Sequence, residues 1–390
     1  MSFNSNPKNF FAFVFSLLVF VMAQTALAAP ALIPSAPQIA ASSYVLIDAV
    51  SGDIIVEEDS HKRLPPASLT KMMTAYIVEK EIAQGRINLY DEVPVSVKAW
   101  QTGGSKMFIK EGTKVVLEDL LKGVIIQSGN DASIALAEFI AGSESAFADI
   151  MNQQAKLLGM KNSHFENSTG LPSENHYSTA YDLALLAKAI IMDYPEQYAV
   201  YAEKYFTYNN IRQPNRNRLL WRDKSVDGLK TGHTEEAGYC LVASAERDGM
   251  RLISTIMGAN SENARAQETQ KLLNYGFRYY ETNKLYTAGT ALIDSPVWMG
   301  TLEKFPLGLA KDVTITIPRG QKDQLQAELI VDPVVKAPVD VGQSFGHLEV
   351  KLKDNIVVSE KLIALEPVPE AGFFKRLWDA IKLFFMGLFA

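Results

Sequence analysis

Pro65-Pro66-Ala67-Ser68-Leu69-Thr70-Lys71-Met72-Met73-Thr74-Ala75-Tyr76-Ile77-Val78-Glu79-Lys80 is the stretch on which the fold turns. Two prolines close an extended segment, and the residues after them are good helix formers, so a helix is expected to start at about Ser68. Residues three apart share a helix face, which sets the Lys71 amine one turn from the Ser68 hydroxyl. A serine so placed is a nucleophile with a base at hand, or else a helix cap followed by a solvated lysine. The rest of the chain decides between the two.

Upstream, Tyr44-Val45-Leu46-Ile47-Asp48 and Asp53-Ile54-Ile55-Val56 flank a Ser51-Gly52 turn and read as a β-hairpin. Downstream, helices are expected over 117–124, ending near Gln127, and over 131–140, with Ser128-Gly129-Asn130 as their connection. Helical patterns continue over 146–158 and 180–192, separated by a polar, loop-like stretch at 162–178. From Asp227 the pattern changes to strands: 230–232, 239–245 and 251–257 suggest an antiparallel meander turning at Arg247-Asp248-Gly249. A helix over 264–279 comes next. The fold class is therefore α/β, an α+β sandwich with one antiparallel sheet and a helical subdomain. Beyond residue 283, Val313-Thr314-Ile315-Thr316-Ile317 and Leu348-Glu349-Val350-Lys351-Leu352 alternate apolar and polar, as in a smaller all-β domain.

Three motifs stand in order: Ser68-Leu69-Thr70-Lys71, Ser128-Gly129-Asn130 and Lys230-Thr231-Gly232. Alone, the first two are weak. Ser5-Asn6-Pro7-Lys8 also fits the first pattern, and Ser173-Glu174-Asn175 and Ser261-Glu262-Asn263 fit the second, whereas Lys-Thr-Gly occurs once. Their weight comes from order and setting: a helix start, a tight loop and a strand. A serine hydroxyl needs a base, and no histidine here has a Gly-x-Ser-x-Gly or triad context, so Lys71 must serve while neutral. Burial and a second ammonium, for which Lys230 is the natural source, would lower its pKa. The Ser128 hydroxyl can relay protons and the Asn130 amide can orient a peptide bond, although Ser, Gly and Asn also suit a plain turn. Lys230 and Thr231 offer an ammonium and a hydroxyl to a carboxylate. Gly232 lets a substrate backbone come close, and the His233 N–H can help bind an oxyanion.

The composition, 47% hydrophobic and 21% charged over 390 residues, is that of a globular chain with room for two domains. A formal charge of −6 disfavours nucleic acid as partner. Lys8, the apolar run 10–23 and Ala26-Leu27-Ala28 read as an export signal cut after Ala28, too short a run for a spanning anchor. The single cysteine, Cys240, allows no internal disulfide and reads as a buried thiol. The histidines are scattered, so no metal site is expected. At the other end, apolar residues 373, 374, 377, 378, 381, 384, 385 and 388 recur at helical spacing opposite Lys375, Arg376, Asp379 and Lys382. Set apart by a Pro367–Pro369 linker, this is expected to be an interfacial helix in the membrane plane, the alternative being a helix docked on its own domain. The division expected is signal 1–28, main domain 29–282, β-rich domain 283–370 and amphipathic helix 371–390.

The surroundings Pro66-Ala67-Ser68-Leu69-Thr70-Lys71-Met72-Met73, Ser128-Gly129-Asn130-Asp131-Ala132 and Asp227-Gly228-Leu229-Lys230-Thr231-Gly232-His233-Thr234 resemble the low-molecular-mass penicillin-binding proteins, D-alanyl-D-alanine carboxypeptidases. Gly129 stands where the family pattern has Asp, a departure that keeps both outer side chains. The resemblance implies a β-lactamase/transpeptidase-like domain that removes the terminal D-alanine of peptidoglycan pentapeptide without a cofactor, through an acyl-enzyme on Ser68. It also implies covalent inhibition by β-lactam antibiotics, and a place on the periplasmic face of the inner membrane, held there by the C-terminal helix. By the same resemblance Lys71 is the general base and Ser128 passes a proton to the leaving D-alanine. Asn130 holds the substrate amide, Lys230 and Thr231 bind the carboxylate, and the N–H groups of Ser68 and His233 form the oxyanion hole. Arg216 and Arg265 fall where the family has arginines near the cleft, against a default reading as surface residues. Three rivals stay open: a β-lactamase of the same fold, a non-catalytic membrane-tethered binder of wall peptide, and a transpeptidase. The class A β-lactamases carry Glu-x-x-x-Asn, and here Glu166 is followed at the fourth position by Gly170.

Overall fold

The computed structural model describes residues 33–389; the export signal expected over 1–28 lies outside them. The hairpin is formed by β1 (Ser43–Asp48) and β2 (Ile54–Glu58), and the meander by β3 (Val226–Thr234), β4 (Gly238–Arg247) and β5 (Met250–Ala259). All pair antiparallel in the order β2-β1-β5-β4-β3, so the first strand slots in beside the last and β3 is left at an edge. Every residue of β1 is buried. Val45 and Ile47 face one core and Tyr44 and Leu46 the other, the period of two by which a strand serves two layers.

A 3₁₀ turn, Ala67–Thr70, leads into α1 (Lys71–Ala83). Lys71 to Glu79 are all buried, so α1 is the central rod of the helical layer and not an amphipathic surface helix. Around it lie α2 (Leu117–Lys122), which widens into a π-turn at Gly123–Gln127, then α3 (Asn130–Ala141), α4 (Glu144–Leu157) and α5 (Ala180–Asp193). The hydroxyls of Ser143 and Thr179 accept the N–H groups of Ala146 and Asp182, which starts α4 and α5 where the chain leaves a loop. On the opposite face of the sheet lies α6 (Glu262–Tyr279).

The domain boundary expected at 282/283 falls inside a strand. α6 passes at once into β6 (Tyr280–Tyr286), which pairs with β9 (Val313–Pro318). The remaining strands, β7 (Ile293–Pro296), β8 (Lys304–Leu309), β10 (Leu325–Val331), β11 (Ser344–Leu352) and β12 (Asn355–Ala364), form a second sheet in the order β7-β8-β12-β11-β10. Phe305, Leu307, Leu348, Val350 and Leu362 supply its own core. The β1–β2 turn ties this domain to the first. Asp53 Oδ2 accepts the Thr316 N–H at 2.8 Å, Ser51 Oγ meets Thr316 Oγ1 at 2.9 Å, and Thr282 donates to Asp48.

The C-terminal segment forms α7 (Phe373–Phe389), and two expectations about it change. The Pro367–Pro369 stretch is no free linker: Val368 pairs with Val339 both ways, Pro369 O accepts from Thr301 N, and Ala371 N donates to Met299 O. Nor does the charged side of α7 simply face water. Asp379 is buried and accepts the Met299 N–H at 2.9 Å, while Lys375 donates to Gly300 O at 2.7 Å and Arg376 pairs with Glu370. The helix is therefore docked by its polar side, with its apolar side turned outward; Phe374 is 85% exposed and Trp378 59%. Among the described residues no helix is long and apolar enough to cross a membrane.

Candidate active site

Three elements converge on one cavity of about 260 Å³, lined among others by Ser68, Ser128, Thr231 and Gly232. Ser68 sits in the 3₁₀ turn, so the Ser68–Lys71 pair lies at the passage from 3₁₀ to α-helix. Lys71 Nζ is 3.2 Å from Ser68 Oγ, 2.7 Å from Asn130 Oδ1 and 2.5 Å from Thr169 O. Ser128 follows the π-turn in a left-handed conformation, φ 66° and ψ 35°, uncommon for a residue with a Cβ. That twist turns its hydroxyl toward β3, where Lys230 Nζ donates to Ser128 Oγ at 2.9 Å. All three motifs are thus joined by direct contacts.

Burial is what chiefly pulls the Lys71 amine down to about 7, helped by the Arg216 guanidinium; Asp131 and Glu144 oppose the shift. Lys230 is itself held well below the usual lysine range by burial, then by Lys71, Arg216 and Arg265. Both arginines line the cavity. Arg265 is buried and donates to Gly232 O at 3.1 Å, so the surface default fails for it, whereas Arg216 keeps an exposed side chain and donates to Gln127 O.

Two of the expected residues also make contacts within the protein. Asn130 spends both ends of its amide on the protein: Oδ1 on Lys71, and Nδ2 on Gly103 O at 2.7 Å. A Cβ on Gly232 would sit 2.9 Å from Pro66 O and 3.2 Å from Leu69 Cγ, so what this glycine admits is the turn carrying Ser68. His233 comes next in β3 and lines the cavity beside Ser68.

The stretch 162–178, which as sequence is only a polar loop, supplies much of the site's frame. Besides Thr169 O, it brings His176 Nε2 to Thr70 Oγ1 at 2.7 Å. The Glu166 N–H donates to His176 Nδ1, so the proton is on Nε2; burial holds this imidazole neutral, its pKa lowered to about 4. Gly170 has φ +79°, and a Cβ there would fall 1.8 Å from Ala67 O, so the loop presses directly on the Ser68 turn. Asp131, which no sequence signal marks, accepts the N–H groups of Met107, Phe108 and Ile109 and so fixes the chain beside Ser105. Cys240 is buried in β4 and its thiol is pushed up to about 11 by burial, outside any reactive range. Among the described residues no group of three or more His, Cys, Asp or Glu could hold a metal ion.

A family model described as D-alanyl-D-alanine carboxypeptidase matches residues 31–261, more than half of the chain. The chain belongs to the D-alanyl-D-alanine carboxypeptidase family. As a carboxypeptidase of this family it is a serine hydrolase of the penicillin-binding protein group. A second model, for the C-terminal domain of penicillin-binding protein 5, matches residues 280–370. The chain is 44% identical over 378 residues to the D-alanyl-D-alanine carboxypeptidase DacC of Escherichia coli (strain K12), covering 95% of this chain and 94% of that one. Its structure is similar to penicillin-binding protein 5 from Haemophilus influenzae, with TM-score 0.84 and 42% identity, covering 86% of this chain and 100% of the other. A third likeness is penicillin-binding protein D2 from Listeria monocytogenes in an ampicillin-bound form, with TM-score 0.58 and 29% identity over 63% of this chain and 100% of that one. The chain has the mixed α/β penicillin-binding protein fold, with antiparallel sheets, a helical subdomain and a C-terminal β domain.

Proposed function

We propose that this carboxypeptidase removes the terminal D-alanine of peptidoglycan pentapeptide through an ester on Ser68. The observation that carries the reading is Lys71: a buried amine with its pKa brought to about 7, 3.2 Å from the Ser68 hydroxyl. Near neutral pH a large fraction of it is unprotonated and able to take the serine proton. Ser68 Oγ attacks the carbonyl of the penultimate D-alanine while its proton passes to Lys71. The oxyanion is held by the Ser68 and His233 N–H groups. As the C–N bond breaks, the leaving amine takes the proton of Ser128, whose oxygen meanwhile accepts from Lys230. Lys71 then returns a proton to Ser128. Water attacks the ester, giving its proton through Lys71, and Ser68 is regenerated.

Thr231 and Arg265 face the cavity directly, whereas Lys230 lies behind Ser128 and contributes its field. The substrate carboxylate is accordingly bound by Thr231 and Arg265, with Lys230 in support. β-Lactams mimic the acylating peptide, and the Listeria relative is described with ampicillin bound. The Glu166 carboxylate accepts the Asn175 N–H at 3.2 Å, within its own loop, which favours slow hydrolysis of the penicilloyl ester over a β-lactamase. The outward Phe and Trp face of α7 supports peripheral attachment to a lipid surface, here the periplasmic face of the inner membrane.

The deciding experiment is D-alanine release from a diacyl-Lys-D-Ala-D-Ala peptide, with Ser68→Ala as control. Release by wild type and its loss, with loss of the fluorescent-penicillin adduct, in Ser68→Ala is the expected result. A wild-type protein that never labels would leave only the binding role, and rapid penicillin turnover would reassign it as a β-lactamase.

A further inference from the structure

A neutral amine has two N–H bonds and one lone pair. Of the three oxygens around Lys71 Nζ, Asn130 Oδ1 and Thr169 O can only accept. They take both N–H bonds, and the lone pair is left for the partner with a proton to give, Ser68 Oγ. The Thr169 carbonyl therefore aims the base, and none of the three motifs holds that carbonyl.

Asn167 does. Its Oδ1 accepts the Thr169 N–H at 3.1 Å, the Thr169 hydroxyl at 2.9 Å and the Gly170 N–H at 2.7 Å, so both the residue carrying the carbonyl and the one after it hang on one oxygen. Its Nδ2 donates to Leu171 O at 3.0 Å. Ser168, between them, is fixed separately: Glu144 Oε1 accepts its N–H and hydroxyl, and Thr74 and Ser133 donate to its carbonyl. With Ser168 anchored by those groups, Asn167 governs the remaining freedom, the rotation of the Thr169–Gly170 peptide plane.

We propose that Asn167 is a positioning residue for acylation: its amide oxygen fixes the Thr169 carbonyl, which orients the Lys71 amine toward Ser68. This rests on the reading that Ser68 is the acylated residue. Removing the oxygen in Asn167→Ala frees the peptide plane and weakens the Lys71–Thr169 contact. A carbonyl acceptor favours ammonium over amine, so its loss moves the acid limb of the acylation profile to lower pH. At the same time the plateau rate falls, because the lone pair is no longer aimed; misplacement of a reacting group by about 1 Å costs on the order of 10²-fold. Asn167→Asp keeps the three accepted hydrogen bonds and adds a negative charge near Lys71. Its plateau stays close to wild type and its acid limb moves to higher pH.

The test is the pH dependence of fluorescent-penicillin acylation by wild type, Asn167→Ala and Asn167→Asp, with D-alanine release and thermal midpoints alongside. Opposite shifts of the acid limb in the two variants, with the plateau reduced only in Asn167→Ala, are expected. An unchanged limb in both, or equal loss of rate that follows the thermal midpoint, overturns the proposal. Should Asn167→Ala fail to fold, the limb of Asn167→Asp decides alone. A wild type that does not acylate sinks the Ser68 reading instead, so the two failures are told apart.

Discussion

Glu79 sits fully buried on the same helix as Lys71, with the Tyr201 hydroxyl at 3.3 Å from Oε1 and no partner for Oε2. Burial lifts its pKa from 4.5 to about 8, the Tyr201 bond only moderating the rise. The folded chain thus keeps a proton that the unfolded chain sheds above about pH 4.5, so this residue lowers stability progressively between about pH 4.5 and 8. Glu79→Gln should remove that slope and raise stability at pH 8 by a few kcal/mol, on the order of 1.4 kcal/mol per unit of pKa, while changing little at pH 4.5. Denaturant midpoints at the two pH values check it. Arg216→Gln takes away the charge that helps depress Lys71, and the acid limb of acylation, expected near pH 7, should move upward. At this scale the sequence is readable where chemistry resides in side chains: Ser68, Lys71, Ser128 and Lys230 announce themselves by type and spacing. The Thr169 carbonyl does not, because every residue has one and only the fold says where it points. Arg265 is hidden for a related reason, since nothing local marks an arginine that will be buried across the sheet.

Between elements, the site is assembled by close approaches at places without a side chain. Gly232 lets β3 meet the Ser68 turn, and Gly170 lets the 162–178 loop press on it from the other side. Gly170→Ala would combine a left-handed φ with a direct backbone clash and should cost roughly 2 kcal/mol or more. A lowered thermal midpoint, together with slower penicillin acylation, is the outcome to look for. The order of helices and strands is legible, because hydrophobic periodicity and capping residues write it into adjacent positions. Features made by pairing at a distance are not: the bridges that tie Val368 and Pro369 down, and the strand Tyr280–Tyr286 that runs through the expected domain boundary. Prolines near a chain end look like a linker until partners from another strand are known.

For the molecule as a whole, removal of residues 371–390 should release the protein from lipid vesicles and leave activity on soluble peptide intact; co-sedimentation and D-alanine release read the two. Asp379→Ala, which cuts the contact with Met299, should keep vesicle binding but raise hydrogen exchange at the Met299 amide. The pinned segment before α7 bears on how such an enzyme could reach its target. If free and fully extended, residues 365–372 would span about 27 Å, enough for the catalytic domain to swing and search on a leash. Bridged to Val339, Thr301 and Met299, the segment provides no leash. The Ser68 cavity is then carried at one bearing relative to the apolar face of α7. On the proposed attachment of α7 to a lipid surface, which stem peptides meet it would be governed by the movement of the wall polymer past the enzyme, not by the enzyme's own wandering.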